Sequence, residues 1–534
     1  MSSVREPAGV ALRAWQQGAL ERLADWQKGP FLLSAAPGAG KTIPSIVYAR
    51  GLLRAGVVRR VHVICPTTPL TRQWAEAAGR LGLQLAPDAD ELTPPRDFDG
   101  IVATYARVAQ SAGRWAAQCG ERTLVIADEC HHLGDELAWG EGFTRAFAAT
   151  TRWLLLSGTP FRSDQCAIAG VRYEDGVVIP DVSYSYADAV RDAICRPVAF
   201  IPYDGALSWR SGDDVIESSF EDVLTGREAS RRYRTAISTK LADGLPRILR
   251  AAHERLEEVR AGGHRDAGGL VIAADGAHAR RVAATLRQIT GSSPVVVLHT
   301  DARAAQKLRA FGVGRERWIV AVNMVSEGVD IPRLRVGVYA TAAKTPLIFR
   351  QIVGRFVRTL AGRPVELSYL FLPADRLLRA HAAEVQDELR HVLKPAAEEA
   401  DEGLLDEVGE RARTEPEPAD AFVPLAADVA PQLALFGGGP PPPAARPVTV
   451  PPPPAPADEP AIPAFRQRAR LRDKRHGLVK TLAGFQGSSH REVNTWVNRK
   501  TGVAGVGDAS IEQLDRAVEL LLAELDRISR RRAS

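Results

Sequence analysis

Short apolar runs that are continuous instead of alternating recur along this chain, and they constrain its fold more than any other feature. Residues 31–34, 61–65, 100–104, 124–128 and 153–157 form one series, separated by longer amphipathic stretches. A strand buried on both faces has no polar side to alternate with, so such runs predict a parallel sheet covered by helices on both faces. A second series, 269–274, 295–299, 318–322, 335–340 and 367–372, repeats the rhythm. The sequence therefore predicts two α/β units in tandem. Between them residues 171–226 are irregular, with turn signals at Glu174-Asp175-Gly176 and Tyr203-Asp204-Gly205, and helices are expected from about 228 to 260.

With 45% hydrophobic and 25% charged residues, most of the 534-residue chain should fold, as several domains. Its 69 Lys and Arg against 64 Asp and Glu leave a formal charge of +5, too mild at this size to identify a polyanionic partner. The five cysteines form no CxxC pair, so neither a zinc site nor a disulfide framework is indicated. The N-terminus lacks a signal-peptide pattern, and no apolar run approaches the roughly 18 residues that span a bilayer. A cytoplasmic protein with no membrane partner is expected.

Two motifs carry chemistry. Ala35-Ala36-Pro37-Gly38-Ala39-Gly40-Lys41-Thr42 follows a predicted strand and opens a predicted helix, where a glycine-rich turn aims backbone N–H groups at phosphates. Gly38 and Gly40 let the backbone come close, Lys41 grips the β/γ-phosphates, and Thr42 supplies a hydroxyl to Mg²⁺. Ala35 stands where the strict pattern has Gly. Further on, an apolar run drives into Asp128-Glu129-Cys130-His131. Two acids at a strand end suit a Mg-nucleotide, Asp128 holding Mg²⁺ and Glu129 orienting and deprotonating the attacking water. His131 and His132 are adjacent and should point apart, so a metal site there is disfavoured and nucleotide coupling is the better role for His131.

These motifs resemble motifs I and II of the superfamily 2 helicases of the DExH type, and the remaining motifs of that family follow in order from about residue 10 to 395. Leu12-Arg13-Ala14-Trp15-Gln16 resembles the Q-like motif, implying that Gln16 reads the adenine edge. Pro66-Thr67-Thr68-Pro69-Leu70 and Thr104-Tyr105 resemble motifs Ia and Ib, which implies nucleic-acid contact at Thr67 and Thr104. Ser157-Gly158-Thr159-Pro160 resembles motif III, giving Ser157 and Thr159 a coupling role. Val325-Ser326-Glu327-Gly328-Val329-Asp330-Ile331-Pro332 resembles motif V, carrying Gly328 and Asp330 over as nucleotide contacts. Gln351-Ile352-Val353-Gly354-Arg355-Phe356-Val357-Arg358 resembles motif VI. Gln351, Arg355 and Arg358 fall at i, i+4 and i+7, one face of a helix, and the arginines are expected to act on the charge that develops at the transferred phosphate.

The resemblance implies two RecA-like domains, 1–200 and 201–395, with ATP hydrolysed between them, ATP and Mg²⁺ as ligands, and a motor acting on nucleic acid, DNA favoured over RNA. Asp128-Glu129-Cys130-His131 and the junction after Pro160 point to duplex-DNA translocases and restriction-type helicases, although no PD-ExK-like nuclease pattern follows. Two other readings stay open: a nucleotide-dependent DNA-binding and recruitment module with little unwinding, and an RNA helicase.

After residue 395 the composition shifts. Residues 396–463 read as a disordered acidic and Pro-rich linker, 12 of the 27 residues from 437 to 463 being Pro. Within it Gln432-Leu433-Ala434-Leu435-Phe436 resembles the peptide that binds the bacterial sliding clamp, with Gln432, Leu433, Leu435 and Phe436 as contacts. Residues 464–534 read as a small basic helical domain. Capping boxes are expected at Ser489/Glu492 and Ser510/Gln513, and the cation run from 465 to 480 is a candidate for nucleic-acid contact.

Overall fold

The computed structural model describes residues 12–87, 92, 94, 97–134, 137–159, 166–211, 213–298, 300–301, 303–322, 331–360, 366–393, 422–432, 462–503, 505–507 and 509–533. The chain divides into two compact units, one of Met1–Ala35, Gly40–Tyr184 and Pro452–Ser534, the other of Ala36–Ala39 and Ser185–Pro451.

In the first unit the apolar runs become β1 (Gly29–Ala35), β2 (Arg60–Cys65), β3 (Leu85–Ala86), β4 (Gly100–Thr104), β5 (Thr123–Asp128) and β6 (Arg152–Ser157). A small hairpin, β7 (Tyr173–Glu174) and β8 (Val177–Val178), precedes β9 (Val182–Tyr184). Asp175 and Gly176 both take positive φ, 50° and 78°, the mirror-image turn that the signal at 174–176 predicts. The sheet order is β3-β4-β2-β5-β6-β1-β9, and every pairing in it is parallel. β5 lies near the middle and is buried along its whole length, which is why its sequence is apolar until the chain leaves the sheet at Asp128. Leu32, Ile64, Ala127 and Leu155 from the strands pack with Trp115, Phe143 and Phe147 from the helices.

Three helices close the chain within this unit: Ala464–Gln486, His490–Thr501 and Ile511–Ala533. Both expected capping boxes form. Ser489 Oγ accepts from Glu492 N at 3.2 Å while Glu492 accepts from Ser489 N at 2.8 Å, and Ser510 and Gln513 make the same reciprocal pair. Val479, Leu482, Val493, Val497, Ala517 and Leu521 fill the core of the bundle. The bundle docks on the sheet unit through Ala464 N to Gln84 Oε1 at 3.1 Å, Ile511 N to Asp97 Oδ2 at 2.8 Å and an Arg466–Glu76 ion pair. Ala464 joins the same apolar cluster as Phe98 and Ile101. The cation run is thus partly structural. Arg468 is buried, donating to the Gly507 and Ala509 carbonyls, and buried Arg475 donates to Asn498 Oδ1 at 2.8 Å.

The second unit holds β10 (Val198–Ser211), β11 (Asp214–Ser218), β12 (Gly268–Ala273), β13 (Val295–Val297), β14 (Trp318–Val322), β15 (Leu334–Ala340), β16 (Ser368–Pro373) and β17 (Phe422–Pro431). Its order is β11-β10-β16-β15-β12-β14-β13, with β17 also on β10. The five strands of the second predicted series pair in parallel, as expected. The predicted helical stretch resolves into Gly226–Ala236 and Leu245–Ala261.

Two expectations fail in this unit. Tyr203-Asp204-Gly205 is no turn but the middle of β10. A Cβ on Gly205 would lie 1.8 Å from the Asp428 carbonyl oxygen, so glycine is there for close backbone approach by β17. The second concerns the linker from 396 to 463, which contains a ten-residue strand, β17, antiparallel to β10. Residues 394–421 and 433–461 lie outside the described residues.

Candidate nucleotide site

The site is built where parallel strands of the first unit end, the edge at which strand-to-helix turns present backbone N–H groups. β1 runs into the turn that opens helix Thr42–Arg54. Gly38 and Gly40 adopt φ of 88° and 90°, accessible to glycine without strain. Gln16, fully buried, braces this turn: its Nε2 donates to the Gly40 carbonyl at 3.0 Å and its Oε1 accepts from Arg13 N at 3.0 Å. The carboxamide expected to meet adenine is engaged at both ends with protein backbone.

Lys41 meets the acids of β5. Its Nζ lies 2.5 Å from Glu129 Oε1 and 3.4 Å from Asp128 Oδ1. Burial works against the ammonium charge, but the two carboxylates outweigh it and hold Lys41 above its ordinary pKa. Asp128 is pushed up, chiefly by burial and then by Glu129, against the pull of Lys41. Its Oδ2 accepts from Trp74 Nε1 at 2.7 Å and its Oδ1 from Glu129 N at 3.1 Å, while Tyr105 donates to its backbone carbonyl at 2.7 Å. Glu129 itself sits in the left-handed region, φ 53° and ψ 52°. For a non-glycine residue that conformation costs on the order of 1–3 kcal/mol and is retained where the surroundings fix it, often at functional sites.

A polar chain leads away from Glu129. Its Oε2 is 3.5 Å from His131 Nδ1, that nitrogen is 3.1 Å from Ser157 Oγ, and Ser157 Oγ accepts from Thr159 N at 3.0 Å. His131, Ser157 and Thr159 are all buried. The expectation that His131 and His132 point apart is corrected: in the short 3₁₀ turn Cys130–His132 their rings lie 4.5 Å centroid to centroid.

Thr42 begins its helix and is half-buried. Thr67 and Thr104, at the ends of β2 and β4, are helix N-caps, and Thr104 Oγ1 accepts from Arg107 N at 3.3 Å. In the second unit Gln351 and Arg355 lie on helix Pro346–Phe356. The shared helical face does not extend to Arg358, because the helix stops at Phe356 and Arg358 forms an isolated bridge with Cys195. Gly328, Asp330, Leu433, Leu435 and Phe436 lie outside the described residues. Trp74, and the contact of Tyr105 with Asp128, are what motif reasoning missed: the sequence singles out Tyr105 only as part of motif Ib, and only the fold brings the two aromatic residues to Asp128.

Residues 9–162 match the family described as Type III restriction enzyme, res subunit. The chain is 40% identical over 438 residues to Rv2917 of Mycobacterium tuberculosis (strain ATCC 25618 / H37Rv), a match spanning 80% of this chain and 72% of that protein. It is 38% identical over 429 residues to ML1624 of Mycobacterium leprae (strain TN), spanning 78% and 71%. Among solved structures, a fragment of an HsdR subunit of a type I restriction enzyme from Vibrio vulnificus YJ016 aligns with a TM-score of 0.50 at 16% identity, covering 70% of this chain and 67% of that one, which is a likeness of fold. The chain belongs to the family of these mycobacterial proteins.

Proposed function

We propose that this protein is an ATP-dependent DNA motor, a helicase or translocase that hydrolyses ATP at the site built on Lys41, Asp128 and Glu129. The observation that carries the reading is the position of Lys41 Nζ between the two carboxylates at the end of β5, with the His131–Ser157–Thr159 chain leading away. The turn around Gly38 and Gly40 offers N–H groups to the β/γ-phosphates, which compete with Glu129 for the Lys41 ammonium. Released from Lys41, Glu129 orients the attacking water and takes its proton. Mg²⁺ fits the hard oxygen donors of Thr42 and Asp128, and the upward push on buried Asp128 is what a further nearby cation would relieve. When bound, it neutralises charge on the β/γ-oxygens. The polar contacts at His131 Nδ1, to Glu129 on one side and to Ser157 on the other, then carry the change at Glu129 to the loop after β6.

Thr67, two residues past β2, and Thr104, at the end of β4, follow adjacent parallel strands and are assigned to the nucleic-acid backbone. The test compares ATPase rates with single-stranded DNA, duplex DNA and RNA. Stimulation by DNA above that by RNA is expected. Equal or greater stimulation by RNA overturns the DNA assignment, and no stimulation by any of the three overturns the motor.

We also propose that residues 432–436 dock on the bacterial sliding clamp. Gln432 leaves β17 directly, with its N–H donating to the Pro202 carbonyl at 2.8 Å, so the peptide starts from a fixed sheet edge. An extended peptide of this kind would fill an apolar groove with Leu433, Leu435 and Phe436. A peptide of residues 431–438 should bind a bacterial clamp in calorimetric titration, and its Leu435→Ala/Phe436→Ala version should not. No binding by the parent peptide rules the assignment out.

A further inference from the structure

The C-terminal bundle presents one face that neither its own packing nor the nucleotide site uses. Helix His490–Thr501 follows helix Ala464–Gln486 after only Gly487, Ser488 and Ser489, the short glycine-containing connection of a helix-turn-helix. Its inner face is fixed by Val493 and Val497, both buried, with Trp496 packed beside them. Arg491, Thr495 and Arg499 recur at four-residue intervals on the other side and are exposed, as is Lys500 in the last turn, closer to the line of Val493 and Val497.

Arg491, Arg499 and Lys500 make no ion pair among the described residues, nor do exposed Lys474 and Lys480 on the preceding helix. By contrast, Arg516 and Arg527 on helix Ile511–Ala533 are paired to Glu512 and Glu524 on that same helix. The one acid of helix His490–Thr501, Glu492, is committed to its cap, accepting from Ser489 N at 2.8 Å and Oγ at 2.9 Å. Like charges left uncompensated on a single helix face repel one another, and a polyanion would offset that repulsion.

We propose that helix His490–Thr501 is a second nucleic-acid site, a reading helix that enters the major groove of duplex DNA. The B-form major groove admits an α-helix, whereas side chains cannot read the deep, narrow groove of A-form RNA. Arg491 and Arg499 have the guanidinium geometry for phosphate or guanine edges, and Thr495 lies between them. Because the bundle is fastened to the sheet unit at Gln84, Asp97 and Glu76, DNA held there is held by the unit that carries Lys41 and Glu129. The site needs no ATP turnover, so it stands or falls apart from the motor reading.

Deleting the bundle is a poor test, since Ala464, Phe465 and Ile511 pack on the core of the sheet unit. Point substitutions in the full chain serve instead. Binding to a labelled duplex is followed by fluorescence anisotropy over a salt titration without nucleotide. Arg491→Ala/Arg499→Ala/Lys500→Ala should lower the log–log salt slope by about 2 to 3, at roughly 0.9 per phosphate contact. Arg491→Lys/Arg499→Lys should keep the slope, and Arg516→Ala/Arg527→Ala should leave it unchanged. An unchanged slope in the triple variant, an equal fall on duplex RNA of the same sequence, or an equal fall in the Arg516/Arg527 control overturns the proposal. Should the triple variant fail to fold, Arg499→Glu alone is held to the same criteria.

Discussion

Glu129→Gln is expected to bind ATP yet turn it over some 10² to 10⁴ times more slowly, the usual cost of removing a positioned base. The amide keeps the size of the carboxylate but neither accepts a proton nor pairs as a charge with Lys41. Lys41→Ala should also abolish turnover, by a different route. It removes the ammonium proposed to grip the phosphates and leaves Asp128 and Glu129, at the end of a buried strand, without the Lys41 charge that both now contact. Weakened ATP binding and a lower melting temperature should therefore accompany Lys41→Ala, whereas Glu129→Gln should bind nucleotide near the parental level. Equilibrium binding of a labelled nucleotide beside steady-state ATPase separates the two. Parental hydrolysis by Glu129→Gln would falsify the base assignment.

Arg355→Ala and Arg358→Ala are each expected to lower nucleic-acid-stimulated hydrolysis roughly 10³-fold with little loss of ATP affinity, because a guanidinium aimed at the transferred phosphate acts mainly on charge that exists in the transition state. The two arginines stand on different supports. Arg355 is in the last turn of helix Pro346–Phe356, while Arg358 lies beyond its end, bridged through the backbone to Cys195. A shared helical face is therefore no longer the argument for pairing them, and each variant has to be measured by itself. Single-turnover hydrolysis with nucleotide in place gives the chemical step directly. Unaltered rates in both variants would withdraw motif VI from the reaction.

What could be read from the sequence follows its physics. Strands such as β5 and β14 were legible because burial on both faces makes them continuously apolar. The turn carrying Gly38, Gly40 and Lys41 was legible because strand, glycines and helix are contiguous. Trp74 and Asp128 are 54 positions apart, and no local pattern links an indole to a carboxylate across that distance. Gly205 followed an Asp and so looked like a turn, although what requires it is the backbone of a strand more than 200 positions downstream. β17 was hidden by Pro424 and Pro431, which demote a strand pattern. It tolerates them because, among the described residues, its one pairing is with β10, with a register shift beside Pro424.

The docking of the bundle has a consequence for how the chain is made. Ala464 contacts Gln84 across 380 positions, and Ile511 contacts Asp97 across 414. At the usual elongation rate of about 5–20 residues per second, the first sheet unit waits on the order of tens of seconds on the ribosome before the segment that covers it exists. During that interval the apolar cluster that holds Phe98 and Ile101 lacks Ala464, Phe465 and Ile511, and the surface they later pack on stands open to solvent and to chaperones. The order of synthesis and the order of completion therefore run in opposite directions for this unit: its first strands are made earliest, and it is finished last.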